Sequence, residues 1–526
     1  MTVSKEKLRN LRLQINENLR VQQSGAKSVE YIDASNVLGD VCARQNHAIF
    51  ARRGCGKTLL LHSSARRLDK SIKTVYLNCE DFKRHSFPNV LIEILDSLFG
   101  ELESNLHAWF GRGKRAREVI QRMRASLTAL RVKPDQTSED VRKTNASEAG
   151  QSAEVAIRAP AAIADMGTKL SVDKRVRDET ERTFTVQTTK ITELDTLLPR
   201  LKRDVREFFA VSKGTSAIFL QIDDLYHLQR PDQAFVVDYV HRLCKDLPLY
   251  FKIATLRHAT NMYVDRHGQP IGAQERHDYQ PINIDYSFSD FRRTREQNRQ
   301  ILHAFGQLAG MSETETDSLF KGEGFDRLIM AGGGVPRDVL SIFLEVLGSV
   351  QSTEGDGRIG KDDVRNLSRE IFERRIQELK QDSEGDVQDA LLRGIYVLRD
   401  FCLEKQTNVF VVSERELQQD DGFRTLIYRL LDYRIIHSAG NALTHKSQQG
   451  TFQAFAIDIG CYAHFRKLDG RFIEIQVSDP ELKEKCRSSS LFSRAELDRR
   501  FAKAPGDVER ALKIDASADV TDGITV

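Results

Sequence analysis

Two short stretches carry residue types that together can hold a polyphosphate and a divalent cation. The first, residues 48–61, reads Ala-Ile-Phe-Ala-Arg-Arg-Gly-Cys-Gly-Lys-Thr-Leu-Leu-Leu. It has the order apolar strand, glycine-bearing turn, start of a helix. Gly54 and Gly56 let backbone N–H groups turn inward with no Cβ in the way, and the positive end of the following helix faces the anion. Lys57 can then reach β- and γ-phosphates, and the Thr58 hydroxyl can hold Mg²⁺. Arg53, Cys55 and Leu59 complete the contact set of the loop, with Cys55 as a small filler rather than a nucleophile. Where the full pattern asks for a first glycine, the chain has Ala51, which is small enough to pass.

The second stretch, residues 217–225, reads Ala-Ile-Phe-Leu-Gln-Ile-Asp-Asp-Leu. A nearly continuous apolar run ending in two carboxylates is the pattern of a buried parallel strand, and ligands of open α/β sheets bind at that end. Asp223 would hold Mg²⁺ through water, opposite Thr58, and Asp224 would orient or deprotonate an attacking water. Taken alone, the acidic pair is a turn cap after any strand. Taken with the lysine loop, it predicts a nucleotide site for ATP and Mg²⁺.

The elements that must position these groups follow in chain order. Leu8, Leu11, Ile15 and Leu19 form one stripe of an N-terminal helix, read as a docking helix or an oligomer contact. Tyr31 and Ile32 precede the first strand and are candidates to cover the base. The loop strand, the helix over 59–68 and a strand over 74–79 make the right-handed crossover unit of a parallel sheet. Residues 101–190 break the pattern and read as an insertion. Arg112, Lys114, Arg115, Arg117, Arg122, Arg124, Arg131 and Lys133 crowd one helical region, either a solvated face or a contact for nucleic acid or an acidic partner. A polar loop (134–153), an Ala-rich stretch (156–164) and an alternating piece (182–186) follow.

Residues 248–258 give a further strand, whose Thr255 or Arg257 would reach the γ-phosphate if it lies beside the acidic strand. A guanidinium there senses a multiply charged neighbour; a plain exposed strand end explains it as well. Residues 281–286 supply a fifth strand, and 291–350 are helical. Inside that block stands 331–340, Ala-Gly-Gly-Gly-Val-Pro-Arg-Asp-Val-Leu. Pro336 would enter a helix at its first position, fixing Arg337 in the first turn as a phosphate sensor.

Residues 352–362 and 377–386 read as connectors flanking a last lid helix. From 387 the order is helix, short strand, helix, helix, hairpin, a winged-helix outline. Ser413 and Glu416 suggest a capping box, and the third helix turns Arg424 and Arg429 outward. With Arg434, His445 and Lys446, this unit reads equally as a DNA-binding module or a protein-contact module. The tail after Lys485 is polar, and its end reads as fraying.

Composition sets bounds. With 526 residues, 40% hydrophobic and 29% charged, the chain is long enough for two to four domains of ordinary globular type. A net charge of +3 is too small to imply nucleic acid, so any basic surface must be local. Seven scattered cysteines without paired spacing suit a reducing cytoplasm. The first residues lack the apolar core of a signal peptide, and no run reaches membrane-spanning length, so no membrane association is expected.

Through residues 53–58, 222–224, 252–257 and 333–337 the chain resembles the AAA+/STAND group of P-loop ATPases, nearest the origin-recognition-like prokaryotic branch. The resemblance spans about 31–459 and leaves 101–190 unmatched. It implies an α/β fold: a three-layer parallel-sheet P-loop domain (31–290) after an N-terminal helix (1–30), then a helical lid (291–380), a winged helix (387–470) and a polar tail (471–526). It places the acidic strand between the loop strand and the strand carrying Arg257. It makes Arg257 and Arg337 sensor arginines, and Lys57 and Asp224 catalytic. Glu usually follows the magnesium-binding Asp in this group, so Asp224 implies slow turnover or a switch. The branch implies an effector partner, plausible homo-oligomers and a role in bacterial defence against phage or plasmids. The alternative is an ATP-gated, DNA-binding regulator or loader.

Overall fold

The computed structural model describes residues 3–19, 30–33, 36–104, 112–132, 188–212, 214–266, 268–352, 356–382, 385–462, 472, 474–506 and 508. The expected loop and patterned stretches within 133–187, the Arg112 side chain and Lys133 lie outside the described residues.

A five-stranded, all-parallel sheet organises the first half. Its strands are β1 (His47–Phe50), β2 (Ile72–Asn78), β3 (Ala217–Asp223), β4 (Leu249–Thr255) and, after a small antiparallel hairpin of β5 (Tyr263–Arg266) and β6 (Gln269–Gly272), β7 (Gln280–Asn283). The order is β2-β3-β4-β1-β7. β1 and β3 are buried at every residue, the consequence of helices on both faces of a parallel sheet. The helices Val37–Val41 and Lys57–Arg67 cover one face through Leu38, Leu60 and Leu61. The helices Asn89–Ser104, Arg112–Val132, Thr188–Val211 and Arg230–Cys244 cover the other. The result is a three-layer α/β domain.

The strand order corrects one expectation: β4, not the acidic β3, neighbours the loop strand. β4 has its own reason to be central. Lys252 is fully buried, and its ammonium donates to Ala43 O (2.6 Å) and Gln45 O (2.7 Å), fastening the chain ahead of β1. The β5–β6 hairpin, which the sequence reading missed, packs on the helix Arg230–Cys244.

The described part of the 101–190 block is structural layer rather than appendage. Val119, Ile120, Met123 and Leu127 are buried in the same core as Leu98 and Leu201. Its basic groups are largely matched by acids of neighbouring helices. Arg122 pairs with Asp204 and Glu207, Arg124 with Asp96 and Glu103, and Arg131 with Glu93. Such pairs, which spacing cannot reveal, oppose the nucleic-acid alternative.

The helices Phe291–Leu308, Glu313–Asp317, Gly324–Ala331, Pro336–Ser352 and Lys361–Asp382 form a second body. The N-terminal helix Lys5–Asn18 docks on it through the fully buried Leu11 and Ile15 and a Lys7–Glu315 ion pair of 2.7 Å. The helix running to Asp382 absorbs much of the stretch read as a polar connector.

The third body begins with the helix Gly385–Glu404, β8 (Val409–Ser413) and the helices Glu414–Gln419 and Asp421–Asp432. β9 (Ile436–Thr444) and β10 (Thr451–Ile457) pair antiparallel, and β10 also pairs antiparallel with β8. Leu391, Ile395, Leu398 and Cys402 of the first of these helices are buried. Ser413 stands at a helix N-cap without a side-chain bond, so the anticipated capping box does not form; Asp420 caps the next helix instead, through Phe423 N (2.7 Å).

The described part of the polar tail is built into the third body, and the expected fraying end lies outside the described residues. β11 (Ser490–Leu491) adds parallel to β8, and the helix Arg494–Phe501 follows it. Phe492 is fully buried, and Arg500 pairs with Asp400 and Glu404. Phe492 and Arg500 help anchor a segment whose composition is polar. No helix among the described residues is long and apolar enough to cross a membrane.

Candidate functional site

The glycine turn after β1 works because Gly54 and Gly56 adopt φ of +88° and +89°. That region is open to glycine and strained for other residues. Gly56 caps the helix Lys57–Arg67, so Lys57 and Thr58 stand in its first turn. β3 ends beside it, and the Thr58 hydroxyl donates to Asp223 Oδ2 at 2.6 Å. Residues 165 apart in sequence thus share one hydrogen bond. The Tyr76 hydroxyl, from β2, donates to the same oxygen at 2.9 Å. The Asp224 amide donates to Asp223 Oδ1 at 2.9 Å, and Asp224 itself adopts φ +52° to leave the strand.

Asp223 is fully buried. Burial, then the neighbouring Asp224 charge, pushes its carboxyl up to about 6, against the pull of the Thr58 and Tyr76 bonds and the Lys57 charge. Two adjacent carboxylates in a buried setting form a site that gains from a cation. Among the described residues there is no cluster of three or more metal-ligating His, Cys, Asp or Glu. The Thr58 and Asp223 oxygens instead form the two-donor set that suits Mg²⁺, which keeps several waters and takes its other ligands from phosphate.

Lys57 is buried, and its ammonium donates to Ala51 O (3.0 Å) and, more weakly, Arg52 O (3.4 Å). It is thereby parked across its own loop. Arg53 lies over the Tyr226 ring at 4.8 Å and donates to its hydroxyl at 3.2 Å. Arg337 opens the helix Pro336–Ser352 against the loop, with its amide donating to Gly54 O at 3.3 Å. A Cβ on Gly54 would come within 2.9 Å of both Arg337 Cβ and Val335 Cγ1, so the lid touches the loop where only glycine fits. The Arg337 guanidinium makes no hydrogen bond or ion pair with a described residue, and it lines the same cleft as Lys57.

That cleft, about 1450 Å³, runs between the sheet edge and the lid. Arg53, Gly54, Cys55, Gly56, Lys57, Thr58, Leu59, Tyr31, Ile32, Asp224 and Arg337 all line it. The Tyr31 ring lies 3.5 Å from where a Gly56 Cβ would stand. Cys55 is buried, and burial first, then the charge of Asp285, pushes its thiol up, which suits filler rather than nucleophile.

Arg257 is the exception among the predicted residues. It pairs with Glu275 at 3.0 Å and lies 4.7 Å over the Phe50 ring, outside the cleft lining. The spacing argument placed it at a strand end but could not foresee a carboxylate 18 residues further on capturing it. Thr255, the other candidate on that strand, is buried against the Thr260 hydroxyl at 2.5 Å.

Several residues at the site went unread in the sequence. Tyr76 and Tyr226 carry no motif; only their places on β2 and just after the acidic pair hint at them. Arg52 is more instructive. Its guanidinium is buried against Asp285 (2.7 and 2.9 Å) and Gly333 O (2.9 Å), and reaches His437 Nδ1 at 3.3 Å. Burial pulls His437 down to about 4, keeping the ring neutral. With Nδ1 accepting from Arg52, Nε2 donates to Asp458 Oδ2 at 2.8 Å. Asp458 in turn holds Arg375, which donates to Ala331 O at 2.6 Å. A buried polar chain therefore joins Arg52 beside the glycine turn, the second body and the third body.

The helix Asp421–Asp432 completes this closed arrangement. Tyr428 stacks on His258 of the first domain at 4.1 Å. Asp432 Oδ2 is buried without a hydrogen-bond partner. Burial, then Asp285, pushes its carboxyl up to about 7, while the Arg52, Lys57 and Arg53 charges oppose the shift. The side chains expected to face DNA are mostly engaged. Arg424 pairs with Asp421, Lys446 with Glu484, and Arg434 is buried against Asp338 and Glu378, while His445 Nε2 lies 2.9 Å from Ser489 O.

No family model matches the chain, and none of the curated proteins matches it.

Proposed function

We propose that the chain is a Mg²⁺-dependent ATP-binding and slowly hydrolysing switch of AAA+/STAND type, controlling a partner effector from the cytoplasm. The observation that carries this reading is the 2.6 Å bond by which Thr58, lining one cleft with Lys57 and Arg337, reaches the buried Asp223 behind it. ATP with Mg²⁺ supplies a phosphoanhydride under electrostatic strain and a cation to balance it. The chain does the rest. Lys57 leaves the Ala51 and Arg52 carbonyls to meet phosphate oxygens, Thr58 and Asp223 hold the cation, and Arg337 brings the lid onto the terminal phosphate. Asp224 orients the attacking water and receives its proton. The third body reads as a winged helix locked against the site.

Control follows from differential contact. Phosphate drawn to Lys57 and Arg337 alters the seam where Gly54 touches Val335 and Arg337, so bound and free states differ in lid placement. An effector interface or homo-oligomer face then becomes the output; defence against phage or plasmids is the setting the family resemblance suggests. The DNA-loader alternative requires undocking of the helix Asp421–Asp432, and no observation favours it over the switch. The test is single-turnover phosphate release. Asp224→Asn is expected to bind ATP with parental affinity and to release phosphate at least about 100-fold more slowly. Release at the parental rate in that variant would remove Asp224 from the chemistry.

A further inference from the structure

Gln297 lies on the helix Phe291–Leu308, whose Ile301 and Phe305 follow at four-residue steps and line the same cleft. It is only 3% exposed, yet its amide makes no hydrogen bond with any described residue. Other buried amides of the chain are spent. The adjacent Asn298 donates to Thr294 O (2.8 Å) and Gly334 O (3.2 Å). Gln233 donates to Leu228 O (2.9 Å) and accepts from Asn261 N (2.8 Å). An amide almost wholly covered, lining the cleft and without a protein partner, keeps its donor and acceptor open to whatever fills the cleft.

The surroundings say which group. Tyr31 and Ile301 supply apolar surface to the cleft, and Lys57 and Thr58 supply groups for phosphate. A nucleotide laid along the cleft would place a purine beside Gln297. A carboxamide presents one donor and one acceptor side by side, matching the adenine N6–H and N7 pair, whereas guanine offers two acceptors on that edge.

We propose that Gln297 reads the base edge and selects adenine over guanine. This deepens, and rests on, the nucleotide reading of the cleft. Calorimetry of the purified full chain with MgATP, MgGTP and magnesium tripolyphosphate tests it, in the parent, Gln297→Leu and Gln297→Glu. The parent is expected to favour ATP over GTP by about tenfold or more. Both variants should bring the two nucleotides within about threefold of each other while binding tripolyphosphate as the parent does. A parent without preference, or variants that keep the parental ratio, would overturn the assignment while leaving the phosphate site standing. A parent that binds none of the three ligands sinks the nucleotide reading and this inference with it. A Leu variant that loses tripolyphosphate has lost its fold rather than an amide, and the near-isosteric Glu variant then decides.

Discussion

At the scale of single residues, the account turns on groups whose side chains meet only after folding. Thr58 and Asp223 share one bond, and Asp223 carries a carboxyl raised to about 6 because burial and Asp224 both disfavour its charge. Gly54 holds φ +88° while the lid presses within 2.9 Å of its missing Cβ. Gly54→Ala should therefore destabilise the chain by about 1–3 kcal/mol through backbone strain and forced lid displacement, measured by urea unfolding. An unchanged midpoint would show that the lid does not bear on the loop. Arg257 supplies the contrary lesson. With Glu275 as its partner, Arg257→Ala is expected to leave ATP affinity within about threefold of the parent, because an exposed ion pair contributes little.

At the scale of elements, the helix Asp421–Asp432 and its flanking Arg434 decide how the third body sits. Arg434 is buried between Asp338 and Glu378, both on lid helices. Arg434→Ala should cost about 1–3 kcal/mol, since it removes a buried guanidinium from Asp338 while the half-exposed Glu378 regains water; denaturant unfolding reads this directly. Asp432 adds a pH dependence whose sign is fixed by its carboxyl lying near 7 in the folded chain, above its ordinary value. The folded state then holds a proton that the unfolded state has released, so stability falls as pH rises from about 4 through about 7. Asp432→Asn should flatten that slope and gain on the order of 1 kcal/mol at pH 8. Identical slopes in parent and variant would contradict it. The β1–β4 and β7 strands were legible from sequence because parallel strands buried on both faces leave continuous apolar runs, as in 217–222. The strand order was not, because it depends on which crossover helix packs where. The arginines of the helix Arg112–Val132 looked free for the same reason: their carboxylate partners come from other helices.

At the scale of the whole molecule, the glycine turn, the second body and the third body are tied by one buried chain from Arg52 through His437 and Asp458 to Arg375. The loop and acidic strand could be read in advance because their chemistry is local, two or three residues at fixed spacing. The buried chain could not, since Arg52, His437 and Asp458 carry no pattern and acquire meaning only through contact. On the proposed reading, this buried chain is the contact through which the nucleotide cleft would bear on the third body. The most direct measurement is calorimetric titration of MgATP into the full chain and into Lys57→Ala. The account predicts one site per chain, dependent on Mg²⁺, with affinity reduced at least about 100-fold when the ammonium is removed. Equal affinity in the two proteins, or no binding to the parent, would contradict it.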